Sequence, residues 1–366
     1  MAAAAILPGK SPDLVVRQEE PFNAGPPLDR LLRHPITPAD LFFVRNHAPV
    51  PRIDPQRYRL TIEGLVERAL ALTVEDLRRN FSWVQIEATL QCAGNRRTEL
   101  MAVAPIPGEL PWGSEAISNA RWAGAPLAEV LAEANVLPDA RHVGFTGLDR
   151  VERLGSRFGF GGSVPLGKAL GPEVLLAYEM NGEPLPAAHG APLRALVPGY
   201  IGARSVKWLS RIEVLREPSE NYFQTRAYRL SPPDAASPEG IDWSQAVMLG
   251  ELPVNSVICD PADGAEVPAG RLTVAGWAMA GGGRTVERVD LSGDGGSSWT
   301  RCEILRGERW AWCLWGGEVE LAPGTHSLVV RALDSAAQLQ PERLESVWNA
   351  KGYANNAWHR VSVTAV

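Results

Sequence analysis

The segment Trp83–Arg97 (WVQIEATLQCAGNRR) carries the pattern that decides the first half of the chain. Apolar residues occupy every second position from Val84 to Cys92, and mostly polar residues stand between them. A period of two is typical of a β-strand that buries one face. The segment therefore predicts a half-buried strand that brings Cys92 to its end, followed by a loop at 93–95.

Two arginines, Arg96 and Arg97, follow this cysteine after the short loop. Guanidinium groups beside a cysteine favour its thiolate form, which is both a nucleophile and a metal ligand. From the residues alone, Cys92 is a small buried hydrophobe, a nucleophile for an oxyanion ester, or a soft ligand for a transition metal. Cysteine phosphatases need an arginine where this chain has Thr98, so that spacing disfavours the nucleophile.

The length and the net charge of the chain limit which classes of protein it can belong to. The 366 residues predict two domains, since domains typically run ~100–200 residues. The net charge of −6 disfavours binding to nucleic acid or to an anionic membrane, since both attract basic proteins. The sequence predicts no membrane span and no leader peptide at its start. We therefore expect a cytoplasmic protein, or a periplasmic one if the natural gene encodes a leader ahead of this sequence.

The chain contains four cysteines, which are too few and too scattered for a disulfide framework. No Cys-x-x-Cys pair is present, which disfavours a tetrahedral zinc site. Cys259, Cys302 and Cys313 are interpreted as small buried hydrophobes. Cys302 and Cys313 are expected on neighbouring strands that flank a turn near Arg306.

Composition divides the chain into four parts. Residues 1–40 are Pro-rich and predict an N-terminal arm, and residues 41–220 mix strand-like with helical patterns. Residues 221–250 contain the stretch SPPDAASPEG at 231–240 and predict a linker. Residues 251–366 hold short alternating runs separated by Gly-rich turns, which predict an immunoglobulin-like β-sandwich. The fold class is therefore α+β for the first domain, followed by an all-β domain.

Three local patterns in the first domain are specific enough to test. Leu127–Leu137 has apolar residues at helical spacing and predicts a short amphipathic helix. Val174–Tyr178 predicts a strand, and Asn181–Gly182 predicts the two-residue turn of a hairpin.

The run Leu90–Arg97 (LQCAGNRR) resembles the active-site segment of the sulfite oxidase family. Other segments resemble the same family in the same order, namely FVRNH at 43–47, HGAPLR at 189–194, GARSVKW at 202–208, SVWN at 346–349 and WHRV at 358–361. The resemblance covers about residues 40–366. It implies a mixed molybdopterin-binding domain at 41–220 and a dimerisation domain at 251–366, hence a homodimer.

The resemblance also implies the cofactors, molybdenum and molybdopterin, with the Cys92 thiolate as the metal ligand. Contacts to the pterin and its phosphate are expected from Phe43, Arg45, Asn46, His47, Asp149, His189, Arg194, Ser205 and Lys207. Arg and Lys suit a phosphate, while Asn and Asp suit the polar edge of a pterin ring. The chain leaves no room for a haem or flavin domain, so electrons are expected to reach a separate acceptor, a cytochrome or oxygen.

For the substrate, the family uses a cationic pocket and a tyrosine. The matching catalytic residues are Arg45, Arg97, Trp112, Tyr228 and Lys351. Several cations together can offset the cost of desolvating a small dianion such as sulfite. The chain departs from the family pattern where Lys351 replaces an arginine and Ala227 replaces an aspartate. The loop before Trp112 is one residue longer than usual.

The expected function is the oxidation of sulfite to sulfate. The alternative is a related molybdenum oxidoreductase that acts on nitrate or another small oxyanion, although residues 97–100 (RTEL) are nearer to the sulfite type. A third hypothesis is a binding module with a degenerate first domain. The cysteine, both arginines and the cofactor segments argue against that third hypothesis.

Overall fold

The computed structural model describes residues 6–231 and 241–366. The Pro-rich stretch of the predicted linker lies outside the described residues, apart from its first residue, Ser231. The described chain is mostly β-sheet with few, short helices, which are α1 Leu28–Arg33, α2 Val74–Asn80, α3 Arg97–Val103, α4 Leu127–Ala134 and α5 Leu166–Ala169. None of these helices has the length and apolar character that a membrane crossing requires.

The first half of the chain builds two larger sheets. Its strands are, in chain order, β1 Val15–Gln18, β2 Asn23–Gly25, β3 Leu60–Gly64, β4 Leu70–Leu72, β5 Val84–Gln91, β6 Ile117–Pro126, β7 His142–Gly147, β8 Val151–Arg153, β9 Ser156–Phe158, β10 Gly161–Pro165, β11 Leu175–Met180, β12 Glu183–Pro184, β13 Arg194–Leu196 and β14 Leu209–Leu215. One sheet has the order β10-β7-β14-β3-β4, and the other has the order β12-β11-β6-β5, with β13 also paired to β11. Only the β14–β3 pair within these two sheets is parallel among the described residues.

The second half packs two further sheets face to face. After a short pair, β15 Arg229–Leu230 and β16 Val247–Met248, its strands are β17 Asn255–Asp260, β18 Ala265–Val267, β19 Gly270–Met279, β20 Val286–Ser292, β21 Thr300–Arg301, β22 Glu303–Arg306, β23 Cys313–Leu321, β24 Gly324–Asp334 and β25 His359–Ala365. The sheets have the orders β17-β19-β23-β22 and β18-β25-β24-β20-β21. One buried cluster joins Val274 and Trp315 of the first sheet with Leu291 and Leu328 of the second. The alternating runs of the sequence therefore form the strands predicted.

Local sequence signals explain the boundaries of two elements in the first half. Helix α4 buries Leu127, Val130, Leu131 and Ala134 on one face. It ends before Asn135, which adopts a left-handed φ of 55°. Asn181 and Gly182 have φ of 55° and 83° and connect β11 to β12, as expected for a tight hairpin turn. The predicted helix and hairpin are confirmed, with the helix three residues shorter than predicted.

Strand β5 ends at Gln91, so the predicted strand and its end are confirmed. The prediction that this strand is half-buried is wrong for its last four residues, Ala88–Gln91, all of which are buried. The second half of the chain covers their other face. The Thr89 N–H donates to the Trp310 carbonyl at 3.0 Å, and the Trp312 N–H donates to the Thr89 hydroxyl at 2.8 Å. Polar Thr89 is therefore buried with its hydrogen bonds satisfied.

The three cysteines outside the first domain are free and buried, as predicted. Cys302 immediately precedes β22, and Cys313 opens β23, where it pairs with Arg306. Burial raises the pKa of the Cys302 and Cys313 thiols to about 12 and that of Cys259 further still. All three therefore stay protonated and pack as small apolar side chains.

Candidate active site

Cys92 follows β5 directly and is held by its backbone. Its N–H donates to the Ala116 carbonyl at 2.9 Å, and its Sγ accepts a weak hydrogen bond from the Gly94 N–H at 3.4 Å. Gly94 has no room for a side chain, because a Cβ there would lie 2.5–2.6 Å from the Arg97 guanidinium. The tight loop thus keeps the sulfur fixed at the strand end, where it faces a cavity.

This cavity contains about 660 Å³ of space between the atoms, part of which is open to solvent. Its walls come from six separate segments of the first half and from the turn before β15. The lining residues are Phe42, Phe43, Arg45, Asn46, His47, Leu90, Cys92, Asp149, Phe160, His189, Arg194, Gly202, Ala203, Ser205, Lys207, Trp208 and Tyr228. The nine residues predicted to contact the cofactor all lie in this wall, together with Cys92, Arg45 and Tyr228 of the metal and substrate predictions.

The N-terminal arm holds the first of these segments in place. The Asn46 N–H donates to the Asn23 side-chain oxygen at 2.7 Å, and the Asn46 amide donates to the Phe22 carbonyl at 3.1 Å. Val44 and Ala24 pair as an isolated β-bridge. The described part of the arm predicted at 1–40 therefore supports the cavity wall from outside, with Asn23 in β2 hydrogen-bonded to Asn46 in the wall.

The segments at 189–194 and 202–208 supply two cations, buried Arg194 and half-buried Lys207. Arg194 donates to the carbonyls of His189 and Ser205, each at 2.9 Å, and lies over the Trp122 ring at 4.8 Å. Lys207 contacts the Asn46 side-chain oxygen and donates to the Ala188 carbonyl. Burial lowers the pKa of Arg194 to about 9 and holds that of Lys207 well below its ordinary value. Both shifts show that these charges are costly without an anion nearby.

Asp149 is the carboxylate in the cavity wall. Burial raises its pKa, although the Lys207 charge opposes the rise. One carboxylate does not balance Arg45, Arg194 and Lys207, so the wall favours an anionic guest. A pterin that carries a phosphate is such a guest, and it would stabilise the charged forms of these side chains.

Two histidines in the wall, half-buried His47 and buried His189, are neutral. His47 stacks on Phe160 with ring centroids 4.6 Å apart, and its Nε2 lies 3.0 Å from the Tyr228 hydroxyl. The pKa of His47 lies well below its ordinary value because of burial and then of Arg45. Burial also lowers the pKa of His189, and among the neighbouring charges Lys10 lowers it most. These rings therefore offer hydrogen bonds rather than charge.

The metal-ligand chemistry of the site fits a metal that is held mainly by its cofactor. Across residues 6–231 and 241–366, no cluster of three or more His, Cys, Asp or Glu side chains could hold a metal ion. Cys92 is a single soft ligand in the cavity wall, and soft sulfur suits a transition metal. Molybdopterin, which brings its own sulfur ligands, fits both this single thiolate and the surrounding cations.

Three predicted catalytic residues lie outside the cavity wall. Trp112 is fully buried in the cluster that also contains Cys92. Arg97 donates to the carbonyls of Lys351 at 2.9 Å and Leu110 at 2.7 Å, and its guanidinium lies 5.1 Å from the Tyr353 ring centroid. Lys351 pairs with Glu109. These residues form a layer behind the cavity wall. Tyr228 of the wall stacks on Tyr353, whose ring contacts Arg97, and so connects this layer to the cavity.

The expectation that both arginines flank the cysteine needs correction for Arg96. This residue has a left-handed φ of 66°, which turns its side chain towards the second half of the chain. Its guanidinium is fully buried and hydrogen-bonds to Glu99, to the Asn255 side chain and to the Ala357 carbonyl. Arg96 therefore joins the two halves of the protein.

Sequence reasoning missed several residues of the site. Lys10 reaches His189 from the N-terminal arm, and no motif surrounds it. Phe160 stacks on His47 and lies in a Gly-rich stretch without a recognisable pattern. Phe42 adjoins the segment at 43–47 and Trp208 ends the segment at 202–208, so their place in the wall follows from motifs that the sequence did single out.

The fold and this site define a molybdopterin-dependent oxidoreductase. Residues 47–223 match the family described as "Oxidoreductase molybdopterin binding domain", and residues 246–366 match the "Mo-co oxidoreductase dimerisation domain". The chain belongs to the sulfite oxidase family.

The relatives and a solved structure agree with this assignment. Sulfite oxidase of Gallus gallus is 44% identical over 96% of this chain and 78% of its own length. The mitochondrial sulfite oxidase of Homo sapiens is 45% identical over 97% of this chain and 66% of its own. The structure of the sulfane dehydrogenase SoxCD from Paracoccus pantotrophus superposes with a TM-score of 0.78 at 28% identity, covering 98% of this chain and 86% of that chain.

Proposed function

We propose that this protein oxidises sulfite to sulfate and passes two electrons to a separate acceptor. The observation that carries the proposal is the Cys92 sulfur at a strand end, in the wall of a cavity lined by Arg45, Arg194, Lys207 and Tyr228. Relatives that are sulfite oxidases by name align over nearly the whole chain. When bound, the molybdenum centre supplies the two-electron redox chemistry.

In this proposal Cys92 is the protein ligand to molybdenum. The pterin and its phosphate contact the side chains with matching donors and charges, which are Phe43, Arg45, Asn46, His47, Asp149, His189, Arg194, Ser205 and Lys207. Arg194 and Lys207 offset the phosphate charge, and neutral His189 and Asn46 hydrogen-bond to polar edges. The buried, prearranged contacts of Arg194 limit the entropy lost when the cofactor binds.

The substrate oxyanion binds between Arg45 and Tyr228. Burial raises the pKa of Tyr228 far above its ordinary value, although the Arg45 charge opposes the rise, so its hydroxyl stays protonated and can donate a hydrogen bond. The Nε2 of neutral His47 lies 3.0 Å from this hydroxyl and can accept a hydrogen bond from it. Arg97 and Lys351 add positive charge from behind the wall, and Trp112 packs beneath the Cys92 loop.

The same proposal covers the organisation of the chain. The boundaries are an arm at 1–40, a molybdopterin-binding domain at 41–220, a linker at 221–250 and a dimerisation domain at 251–366. The two packed sheets of the last part make it an immunoglobulin-like sandwich, and two copies form a homodimer with a twofold axis. Sedimentation of the purified protein tests the dimer.

Metal analysis, pterin analysis and turnover test the function together. Protein from a molybdopterin-competent host should contain molybdenum and reduce an artificial electron acceptor with sulfite. Cys92→Ser should fold normally and lose this turnover, whereas the matched control Cys302→Ser, far from the cavity, should keep it. Reduction of nitrate without any sulfite turnover would contradict the proposal, as would normal turnover by Cys92→Ser.

A further inference from the structure

One carboxylate lies between two of the cations that the family resemblance assigns to the substrate. Glu109 Oε2 is 3.5 Å from an Arg97 guanidinium nitrogen, and its Oε1 is 3.4 Å from the Lys351 ammonium. The Arg97 side chain is 3% exposed and the Glu109 side chain 19% exposed. Water therefore screens this group only partly, and its charge acts on its neighbours.

The negative charge of Glu109 also raises the pKa of two tyrosines, Tyr353 and Tyr228. Burial raises the pKa of Tyr353, and Glu109 is the next largest cause. Glu109 contributes in the same direction at Tyr228, after burial and Cys92. An anion in the cavity beside Arg45 therefore experiences the charge of this carboxylate from behind the wall, together with the charges of Arg97 and Lys351. A carboxylate beside an anion-binding group of cations lowers the affinity for the anion.

Arg97 does not depend on Glu109 for its position. Its guanidinium donates to the carbonyls of Lys351 and Leu110. A Cβ at Gly94 would lie 2.5 Å from the guanidinium, and one at Gly352 would lie 2.6 Å from the Arg97 Cγ, so both glycines pack closely around it. Removing the Glu109 charge should leave the arginine where it is and change only the electrostatics.

We infer that Glu109 is a specificity-determining residue, which weakens anion binding by neutralising part of the Arg97 and Lys351 charge. The inference rests on the proposed function for its substrate. It makes the site discriminate by charge, because the repulsion from Glu109 is twice as large for a dianion as for a monoanion at the same place. The carboxylate thereby lowers the affinity for the dianionic product, sulfate, as well as the affinity for the substrate.

The test compares Glu109→Gln with the wild type at constant ionic strength. We expect the KM for sulfite to fall roughly three- to tenfold with kcat little changed, because an amide keeps the size but loses the charge. Competitive inhibition by sulfate should tighten by a larger factor than inhibition by nitrate. Glu75→Gln, which makes the same change in net charge at an exposed position on α2, should leave both constants as they are.

A purely structural role for Glu109 predicts the opposite sign. If Glu109 serves to hold Arg97, then Glu109→Gln raises the KM, and an unchanged KM also overturns the inference. Glu109→Asp keeps the charge and should keep anion inhibition near that of the wild type. Calorimetric binding of sulfate to the molybdenum-loaded proteins tests the inference without turnover, so a failure of the proposed sulfite activity remains distinguishable.

Discussion

The ammonium of Lys10 lies 3.1 Å from Nε2 of His189, across 179 positions of sequence. It also donates to the carbonyls of Ala39 at 2.6 Å and Phe42 at 2.7 Å. Burial lowers the pKa of Lys10 to about 7. His189 Nε2 also lies 3.2 Å from the Ala39 carbonyl, so this nitrogen accepts from Lys10 in one ring tautomer and donates to Ala39 in the other. The N-terminal arm thus reaches a residue in the cavity wall through hydrogen bonds.

Replacement of this lysine should therefore affect both stability and cofactor retention. In Lys10→Met the carbonyls of Ala39 and Phe42 lose a buried donor, which should lower the free energy of unfolding by about 1–3 kcal/mol. Molybdopterin should also leave the protein faster, measured as pterin in the filtrate over time. Arg30→Ala, which removes an exposed ion pair in the same arm, is the control. Equal pterin retention by both variants would show that Lys10 does not act on the cavity.

The sequence predicted the cavity wall well because its residues lie in short continuous motifs. The period of two placed Cys92 at a strand end, and the segments at 43–47, 189–194 and 202–208 each contribute several lining residues. Lys10 escaped prediction because its contact with His189 depends on how the arm folds back. Arg96 and the buried face of β5 were misread because both face the second half of the chain, whose position no local pattern encodes.

Arg96 is expected to be more important for stability than for chemistry. Burial raises the pKa of Glu99, but Arg96, with smaller contributions from His359 and Asn355, more than offsets that rise. Arg96→Ala would leave the Glu99 carboxylate and the Asn255 side chain without this partner. We expect a loss of about 3 kcal/mol in the free energy of unfolding.

Urea denaturation measures this loss, and an exposed ion pair provides its control. Arg68→Ala breaks a pair whose side chains are 59% and 51% exposed, so it should cost no more than about 1 kcal/mol. A similar small effect for both variants would mean that Arg96 does not hold the two halves together.

Tyr228→Phe tests the hydroxyl that lies 3.0 Å from His47. The hydroxyl can donate to an anion, and a hydrogen bond to a charged group contributes about 1.5–3 kcal/mol. We expect kcat/KM for sulfite to fall roughly 10- to 100-fold, mainly through a higher KM. Molybdenum content should be unchanged, since the substitution removes no cofactor ligand. A variant with wild-type KM would indicate that the substrate does not contact this tyrosine.

His359 should make the junction between the two halves sensitive to acid. It is the first residue of β25, its Nδ1 accepts from the Ile258 N–H at 3.2 Å, and its Nε2 lies 3.4 Å from the Ser114 hydroxyl. Burial, followed by the Arg96 charge, lowers the pKa of His359 from 6.5 to about 4. The folded protein therefore keeps this ring neutral at pH values where the unfolded chain already binds a proton.

Stability is consequently lost as the pH falls from about 6.5 towards 4, and about 2 kcal/mol of this loss is expected between pH 7 and pH 5. His359→Gln can still accept from the Ile258 N–H but cannot titrate. The variant should therefore lose less stability than the wild type over this interval, measured by urea denaturation at both pH values. Because the pKa values of His47 and His189 also lie well below their ordinary value, some acid sensitivity should remain in the variant. An identical pH dependence in the two proteins would show that His359 does not contribute to it.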